Sequence, residues 1–75
     1  MSNVELITKV VNTIRDNKGL EPFSDFTEET HLRDHLELDS LDLAEFTVRI
    51  EKETGIDVFA DGIIQTIGEV DQRLS

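Results

Sequence analysis

Apolar side chains recur at helical spacing in three segments of this chain, and no segment shows the sustained two-residue alternation of a half-buried strand. The first segment runs from about Asn3 to Asn17, and Gly19 is suited to end a helix there. Ser2 and Glu5 have capping-box spacing at its start. We therefore expect an all-α fold whose first helix packs on one side against the rest of the chain.

A second long helix is predicted from about Ser40 to Thr54. Asp39 is a preferred N-cap residue, and Gly55 follows the last helical position. This helix and the first are the two long elements of the expected fold.

The last helix is shorter and begins near Ile67. Thr66 and Glu69 repeat the capping-box spacing before its narrow apolar stripe. Ile63 and Ile64 are assigned to one helical turn just ahead of it. The expected architecture is a small bundle of three main helices plus a short extra helical turn.

A long loop, from Leu20 to Leu38, joins the first and second helices. So long a loop in a chain of 75 residues needs side chains that pin it to the core. The natural anchors are its large apolar residues Phe23, Phe26, Leu32, Leu36 and Leu38. With these anchors, residues 1–75 are expected to form a single domain.

The second helix carries two apolar stripes on nearly opposite faces, at about 100° per residue. The bulkier stripe, expected to face the core, consists of Leu43, Phe46 and Ile50. The lesser stripe, expected to lie partly exposed beside acidic residues, consists of Leu41, Ala44 and Val48. An exposed apolar strip with an acidic rim is suited to docking a partner, unless the long loop folds over it.

Acidic residues are concentrated in the middle of the chain. Residues 21–61 hold thirteen of them and three basic residues. The net charge of this segment is therefore −10, the same as the formal net charge of the whole chain. Such a field repels nucleic acid and anionic lipid and attracts basic protein surfaces. There is no cysteine, no apolar run near the roughly 20 residues that span a bilayer, and no signal-peptide pattern at the N-terminus. We expect a soluble cytoplasmic protein with basic protein partners, no nucleic acid partner and no membrane span.

Ser40 has three interpretations. It is an ordinary helix-start residue, or it carries a phosphate ester, which free backbone N–H groups and the helix dipole would stabilise. A hydrolytic nucleophile is disfavoured, because no nucleophile elbow or oxyanion hole accompanies it, and no catalytic residue is predicted.

His31 and His35 have metal-compatible spacing only on a helix, and without a third ligand no metal site is predicted.

The segment THLRDHLELDSLDLAEFTVRIEKETGIDV, from Thr30 to Val58, resembles the acyl carrier proteins. Their signature is a leucine-bearing loop, then Asp-Ser-Leu, then an acidic amphipathic helix, and the first and last helices agree in position and size. The resemblance implies a non-enzymatic carrier. Its Ser40 would receive 4′-phosphopantetheine from coenzyme A through a phosphopantetheinyl transferase, and the thiol of that arm would hold acyl groups as thioesters.

The resemblance also implies a docking face on the second helix. The residues that fall where the family meets its partners are Leu41, Asp42, Ala44, Glu45, Val48 and Glu51. The partners would be acyl-transferring and synthase enzymes with basic docking surfaces. The implied protein works as a monomer in fatty-acid biosynthesis and lipid metabolism, in polyketide biosynthesis or in a related pathway.

Three departures from the family pattern leave the cargo open. Glu37 stands where the family often has glycine, Lys52 where an acid is common, and Phe59 where proline is common, within a shortened third-helix region. A carrier of amino acids or polyketide intermediates therefore remains an alternative to a fatty-acid carrier. A second alternative is an unmodified acidic helical adaptor that binds a basic protein partner through the second helix.

Overall fold

The computed structural model describes residues 3–60 and 62–75, and their helices are α1 (Val4–Asn17), α2 (Ser40–Thr54) and α3 (Ile67–Leu74). These residues contain no strand, and their only β-type contact is an isolated antiparallel bridge between His31 and Thr66. The prediction of an all-α bundle with a long loop between the first two helices is confirmed.

The start and end of α1 differ in how they are stabilised. Asn3 is its N-cap residue but makes no side-chain capping bond, and Ser2 of the predicted capping box lies outside the described residues. At the other end, Gly19 adopts a φ of 78°, and the N–H of Leu20 donates to the carbonyl of Arg15 at 2.9 Å. Because glycine takes this left-handed conformation without strain, α1 ends where the sequence predicts.

Capping boxes start both other helices. In α2 the carboxylate of Asp39 accepts the N–H of Asp42 at 2.9 Å, and that of Asp42 accepts the N–H of Asp39 at 3.1 Å. In α3 the predicted Thr66/Glu69 box forms, with bonds of 3.1 and 3.3 Å. Hydrogen bonds from the Gln65 backbone and from Thr66 lower the pKa of Glu69, so this cap is held by a charged carboxylate.

The core lies where α1 packs against α2 and α3. Its fully buried side chains include Ile7, Val11, Phe46 and Ile50. Phe46 and Ile50 belong to the bulkier stripe of α2, and Leu43 of the same stripe packs against the core while partly buried. The assignment of this stripe to the core is therefore confirmed.

The long loop is pinned to the core by the predicted anchors. Leu32, Leu36 and Leu38 are buried, and Phe23 and Phe26 pack against the core. The two phenylalanine rings form a T-shaped pair, with centroids 5.0 Å apart. These contacts explain how so long a loop keeps one path over the helices.

A charged side chain that the sequence analysis did not single out holds the same loop. Arg15 is buried on α1 and donates to the carbonyls of Leu36 at 2.8 Å and Glu21 at 3.0 Å. Its guanidinium also lies 5.8 Å from the ring centroid of Phe23. Asn12 adds two hydrogen bonds to the Phe23 backbone, at 2.8 and 3.1 Å, so the loop and α1 form one packed unit.

The loop also supplies carbonyls to the start of α3. The N–H of Ile67 donates to Thr30 and that of Gly68 to Glu28, both at 2.9 Å. A Cβ on Gly68 would lie 2.8 Å from the Glu28 oxygen, so this close approach requires glycine.

The extra turn before α3 forms earlier than predicted. The carboxylate of Asp57 accepts the N–H of Phe59 at 3.0 Å, and the Asp57 carbonyl accepts the N–H of Ala60 at 3.2 Å. An aspartate that bonds the backbone two residues on starts a turn at its own position. Ile63 and Ile64 follow as irregular backbone, the first exposed and the second buried.

Candidate functional site

Ser40 is the first residue of α2 and its side chain is exposed. The capping box described above fixes the backbone on either side of it. The guanidinium of Arg33, in the loop, donates a hydrogen bond of 2.8 Å from Nη2 to Ser40 Oγ. The hydroxyl is thus accessible from solvent and contacts a positive charge.

A groove of about 640 Å³ lies beside Ser40. It runs between α2 and two other parts of the chain, residues 31–33 and residues 57, 59 and 63–65, and Arg33 and Ser40 both line it. Its apolar walls are formed by Leu32, Leu43, Ala44, Phe59, Ile63 and Ile64. The groove can hold an extended, largely apolar group that starts at Ser40.

The lesser stripe of α2 is exposed along its length. Leu41 is 80% exposed and Val48 is 66% exposed, and Ala44 between them is also exposed. The long loop therefore does not cover this stripe. Exposed valine and leucine side chains on one helix face are an apolar surface suited to a partner.

The acidic residues predicted beside this stripe have different surroundings. Glu51 is exposed, and Glu45 forms an ion pair of 2.8 Å with Arg49 one turn along α2. Asp42 is mostly buried, with 13% of its side chain exposed, and pairs with Lys18 of the α1 C-terminus at 2.6 Å. Two of the three acids are therefore already engaged within the protein.

The Lys18–Asp42 pair ties α1 to the start of α2. Lys18 Nζ also donates to the carbonyl of Glu37 at 2.6 Å. The hydrogen bond to Asp42 raises the pKa of Lys18. Burial opposes ionisation of Asp42, but hydrogen bonds from Lys18 and from the Asp39 backbone outweigh it and lower the pKa of Asp42. Both groups are therefore charged around neutral pH, and the pair stays intact.

The two histidines hold the turn that precedes Ser40. His31 Nδ1 accepts the backbone N–H groups of Arg33 and Asp34, at 3.2 and 3.3 Å, and His35 Nδ1 accepts the N–H of His31 at 2.7 Å. No group of three metal-ligating side chains is found within residues 3–60 and 62–75. The histidines act here as backbone acceptors in a loop.

Among the described residues, no side-chain base contacts the Ser40 hydroxyl. The side-chain partner that the described residues give its hydroxyl is Arg33, which is a donor and cannot take up the serine proton.

Glu37 adopts a φ of 59°, in the left-handed region that favours glycine. A side chain there costs about 1–2 kcal/mol, and the ion pair with Arg15, at 3.8 Å with an exposed carboxylate, returns little of it. Glu37→Gly is therefore expected to raise stability by about 1 kcal/mol, or the melting temperature by roughly 4–8 °C. Thermal unfolding followed by circular dichroism measures it. Glu37→Gln removes the charge but keeps the strain, and an equal rise in that variant would contradict the explanation.

The sequence gives no sign of the contact of Arg33 with Ser40 or of that of Lys18 with Asp42. Each basic residue lies on another segment, and its approach depends on how the loop and α1 pack. Neither belongs to a pattern of spacing around Ser40, so the sequence alone carries no signal for either contact.

Across the described residues, no helix is long and apolar enough to cross a membrane.

Comparison with known proteins gives matches over nearly the whole chain. The family model described as "Phosphopantetheine attachment site" matches residues 8–72. The acyl carrier protein of Lactobacillus acidophilus is 35% identical over 71 residues, covering 92% of this chain and 88% of that protein. The acyl carrier protein of Saccharopolyspora erythraea is 33% identical over 72 residues, covering 93% and 75%. No solved structure matches the chain.

Proposed function

The chain belongs to the acyl carrier protein family, whose members bear phosphopantetheine, and on that premise we propose that Ser40 is its attachment residue. Proteins of this family are carriers and not catalysts. The observation that supports the proposal most is the exposed Ser40 hydroxyl, contacted by Arg33 and placed beside an apolar groove.

The residues around Ser40 fit a 4′-phosphopantetheine group. The hydroxyl is exposed, so esterification displaces no core side chain. Arg33 offers positive charge to a phosphate, and the groove offers apolar surface to a chain. The attached group supplies a thiol that holds acyl groups as thioesters. The chain has no cysteine, so no thiol of its own competes.

In the attachment step Ser40 acts as the nucleophile for a phosphopantetheinyl transferase. Its Oγ bonds to the pantetheine-side phosphorus of coenzyme A, the pyrophosphate bond at that phosphorus breaks, and adenosine 3′,5′-bisphosphate leaves. The serine proton passes to a base of the transferase. Arg33 only donates to Oγ, so it is not the group that takes up this proton.

The lesser stripe of α2 is proposed as the docking face for the acyl-transferring and synthase enzymes. Leu41, Ala44 and Val48 supply apolar contact, and Glu51 with the acidic field supplies orientation toward basic surfaces. We propose that Asp42 and Glu45 add charge to this face from their paired positions. On this proposal residues 1–75 act as one monomeric carrier domain in fatty-acid, polyketide or related biosynthesis.

A thiol assay tests the carrier proposal directly. The purified chain has no cysteine, so before modification it is expected to take up no maleimide. After incubation with coenzyme A and a broad-specificity transferase, its intact mass is expected to rise by one phosphopantetheinyl group, with the appearance of one maleimide-reactive thiol. The same incubation without transferase is the control.

The outcome that would overturn this proposal is a folded protein whose mass and thiol content do not change. That result, together with binding to a basic partner, would favour the unmodified acidic adaptor.

A further inference from the structure

We propose that Arg33 binds the phosphodiester of the group carried by Ser40 and directs that group into the neighbouring groove. The inference rests on the proposed attachment at Ser40 and adds to it a residue with a separate role. Its starting point is the hydrogen bond of 2.8 Å from Arg33 Nη2 to Ser40 Oγ.

The geometry of this bond suits a phosphodiester. In the modified protein a phosphorus atom is bonded to Ser40 Oγ, and two free oxygens are bonded to that phosphorus. These oxygens lie within reach of the guanidinium that already contacts Oγ. Arginine presents five N–H donors in a planar fork, and phosphate oxygens accept them in pairs. Arg33 can therefore replace its neutral acceptor, the Ser40 hydroxyl, by a charged phosphate oxygen with little movement.

The charges around Ser40 favour such a cation. Asp39, the N-cap of α2, and Asp42, in its first turn, lie on either side of Ser40, so a phosphodiester there meets two carboxylates. Lys18 is already engaged with Asp42 and with the Glu37 carbonyl. Arg33 forms no ion pair with any acid in residues 3–60 or 62–75, so its charge is available to an incoming anion.

The backbone that presents Arg33 is held firmly. Its N–H donates to His31 Nδ1 at 3.2 Å, and its carbonyl accepts the N–H of Glu37 at 3.1 Å. The preceding residue, Leu32, is buried in the core. A side chain rooted in a fixed turn loses less freedom when it binds an anion than one on a mobile loop.

The position of Arg33 also sets the direction in which the phosphopantetheine arm leaves Ser40. Arg33 and Ser40 both line the groove, together with Leu32 and Leu43. A phosphodiester held by Arg33 lies on the groove side of Ser40, so the chain that continues from it starts toward the apolar walls. Without Arg33 the first part of the arm would extend into solvent, away from the acidic residues.

Nuclear magnetic resonance of the modified protein tests the proposal. Wild type, Arg33→Gln, Arg33→Lys and the control Arg49→Gln are each modified with excess transferase and checked by intact mass. Arg49 is a suitable control because it is also an arginine but pairs with Glu45 and does not line the groove. The readouts are the ³¹P shift of the phosphodiester at low and high salt, and the amide shifts that modification causes at Thr47 and Ile64.

In wild type and Arg49→Gln, we expect a salt-dependent ³¹P shift and clear amide changes in the groove. In Arg33→Gln, the salt dependence should vanish and the amide changes fall about threefold, in keeping with an ion pair at an exposed site. Arg33→Lys should lie between them, because lysine keeps the charge but lacks the fork.

Each other outcome separates this inference from the proposed attachment. Equal mass gain with identical spectra in wild type and Arg33→Gln would overturn the role of Arg33 and leave attachment intact. A mass gain in wild type but none in Arg33→Gln would place Arg33 in the attachment step and overturn the proposal as stated. No mass gain in any variant would instead refute attachment itself.

Discussion

Ser40→Ala is expected to abolish modification completely, with no mass gain and no reactive thiol after incubation with coenzyme A and transferase. The reason is that the serine oxygen becomes part of the new phosphodiester, and alanine has no atom to replace it. Ser40 is exposed and its side chain does not cap α2, since that role belongs to Asp39. Stability should therefore change by no more than about 0.5 kcal/mol.

Two other serines provide matched controls. Ser24, in the long loop, and Ser75, after α3, are exposed and lie outside the groove. Ser24→Ala and Ser75→Ala are expected to be modified as fully as wild type. Modification of Ser40→Ala at either of these positions would show that Ser40 has been wrongly assigned.

Phe46→Ala is expected to unfold a large part of the population, whereas Val48→Ala two residues away should not. Phe46 is fully buried in the core, and its loss costs about 3–5 kcal/mol through lost burial and the cavity left behind. In a chain of 75 residues a single core rarely supplies more than about 3–5 kcal/mol of stability, so little or none would remain. Val48 is 66% exposed, and its replacement should change stability by no more than about 0.5 kcal/mol. Urea unfolding followed by circular dichroism measures both.

The exposed face of the same helix should instead affect binding. Val48→Glu places a charge in the lesser stripe and is expected to weaken binding to a partner enzyme about tenfold, without unfolding the protein. Gln72→Glu adds the same charge at an exposed position of α3 and should leave binding unchanged. In the urea unfolding experiment, equal loss of stability in Phe46→Ala and Val48→Ala would contradict the assignment of the bulkier stripe to the core and of the lesser stripe to the surface.

Much of this fold could be predicted because its signals are local. Asp39 sets the start of α2, Gly55 sets its end, and the Thr66/Glu69 box sets the start of α3. Each acts through backbone groups within a few residues. The two faces of α2 follow from helical period alone. Ser40 as a candidate came from Asp-Ser-Leu at a helix start, and it stays a prediction until modification is measured.

The contacts around Ser40 could not be predicted, because they depend on how the loop and α1 pack against the start of α2. Arg33 reaches Ser40 only after the turn at His31 has formed, and Lys18 reaches Asp42 only after α1 has packed against α2. No local signal marks Arg15 for burial, yet its side chain is buried and helps to anchor the long loop. The extra turn was placed too late because the side-chain bond of Asp57 to the Phe59 backbone decides where it starts.

Ala44 belongs to two surfaces at once, since it lines the groove and lies in the lesser stripe. On the proposed roles of these two surfaces, occupancy of the groove and docking on α2 would be thermodynamically linked through this residue. If a sequestered cargo weakens the affinity for an enzyme by some factor, that enzyme must favour expulsion of the cargo by the same factor. A carrier built this way would report its loading state to each enzyme it meets and would deliver its cargo by mass action.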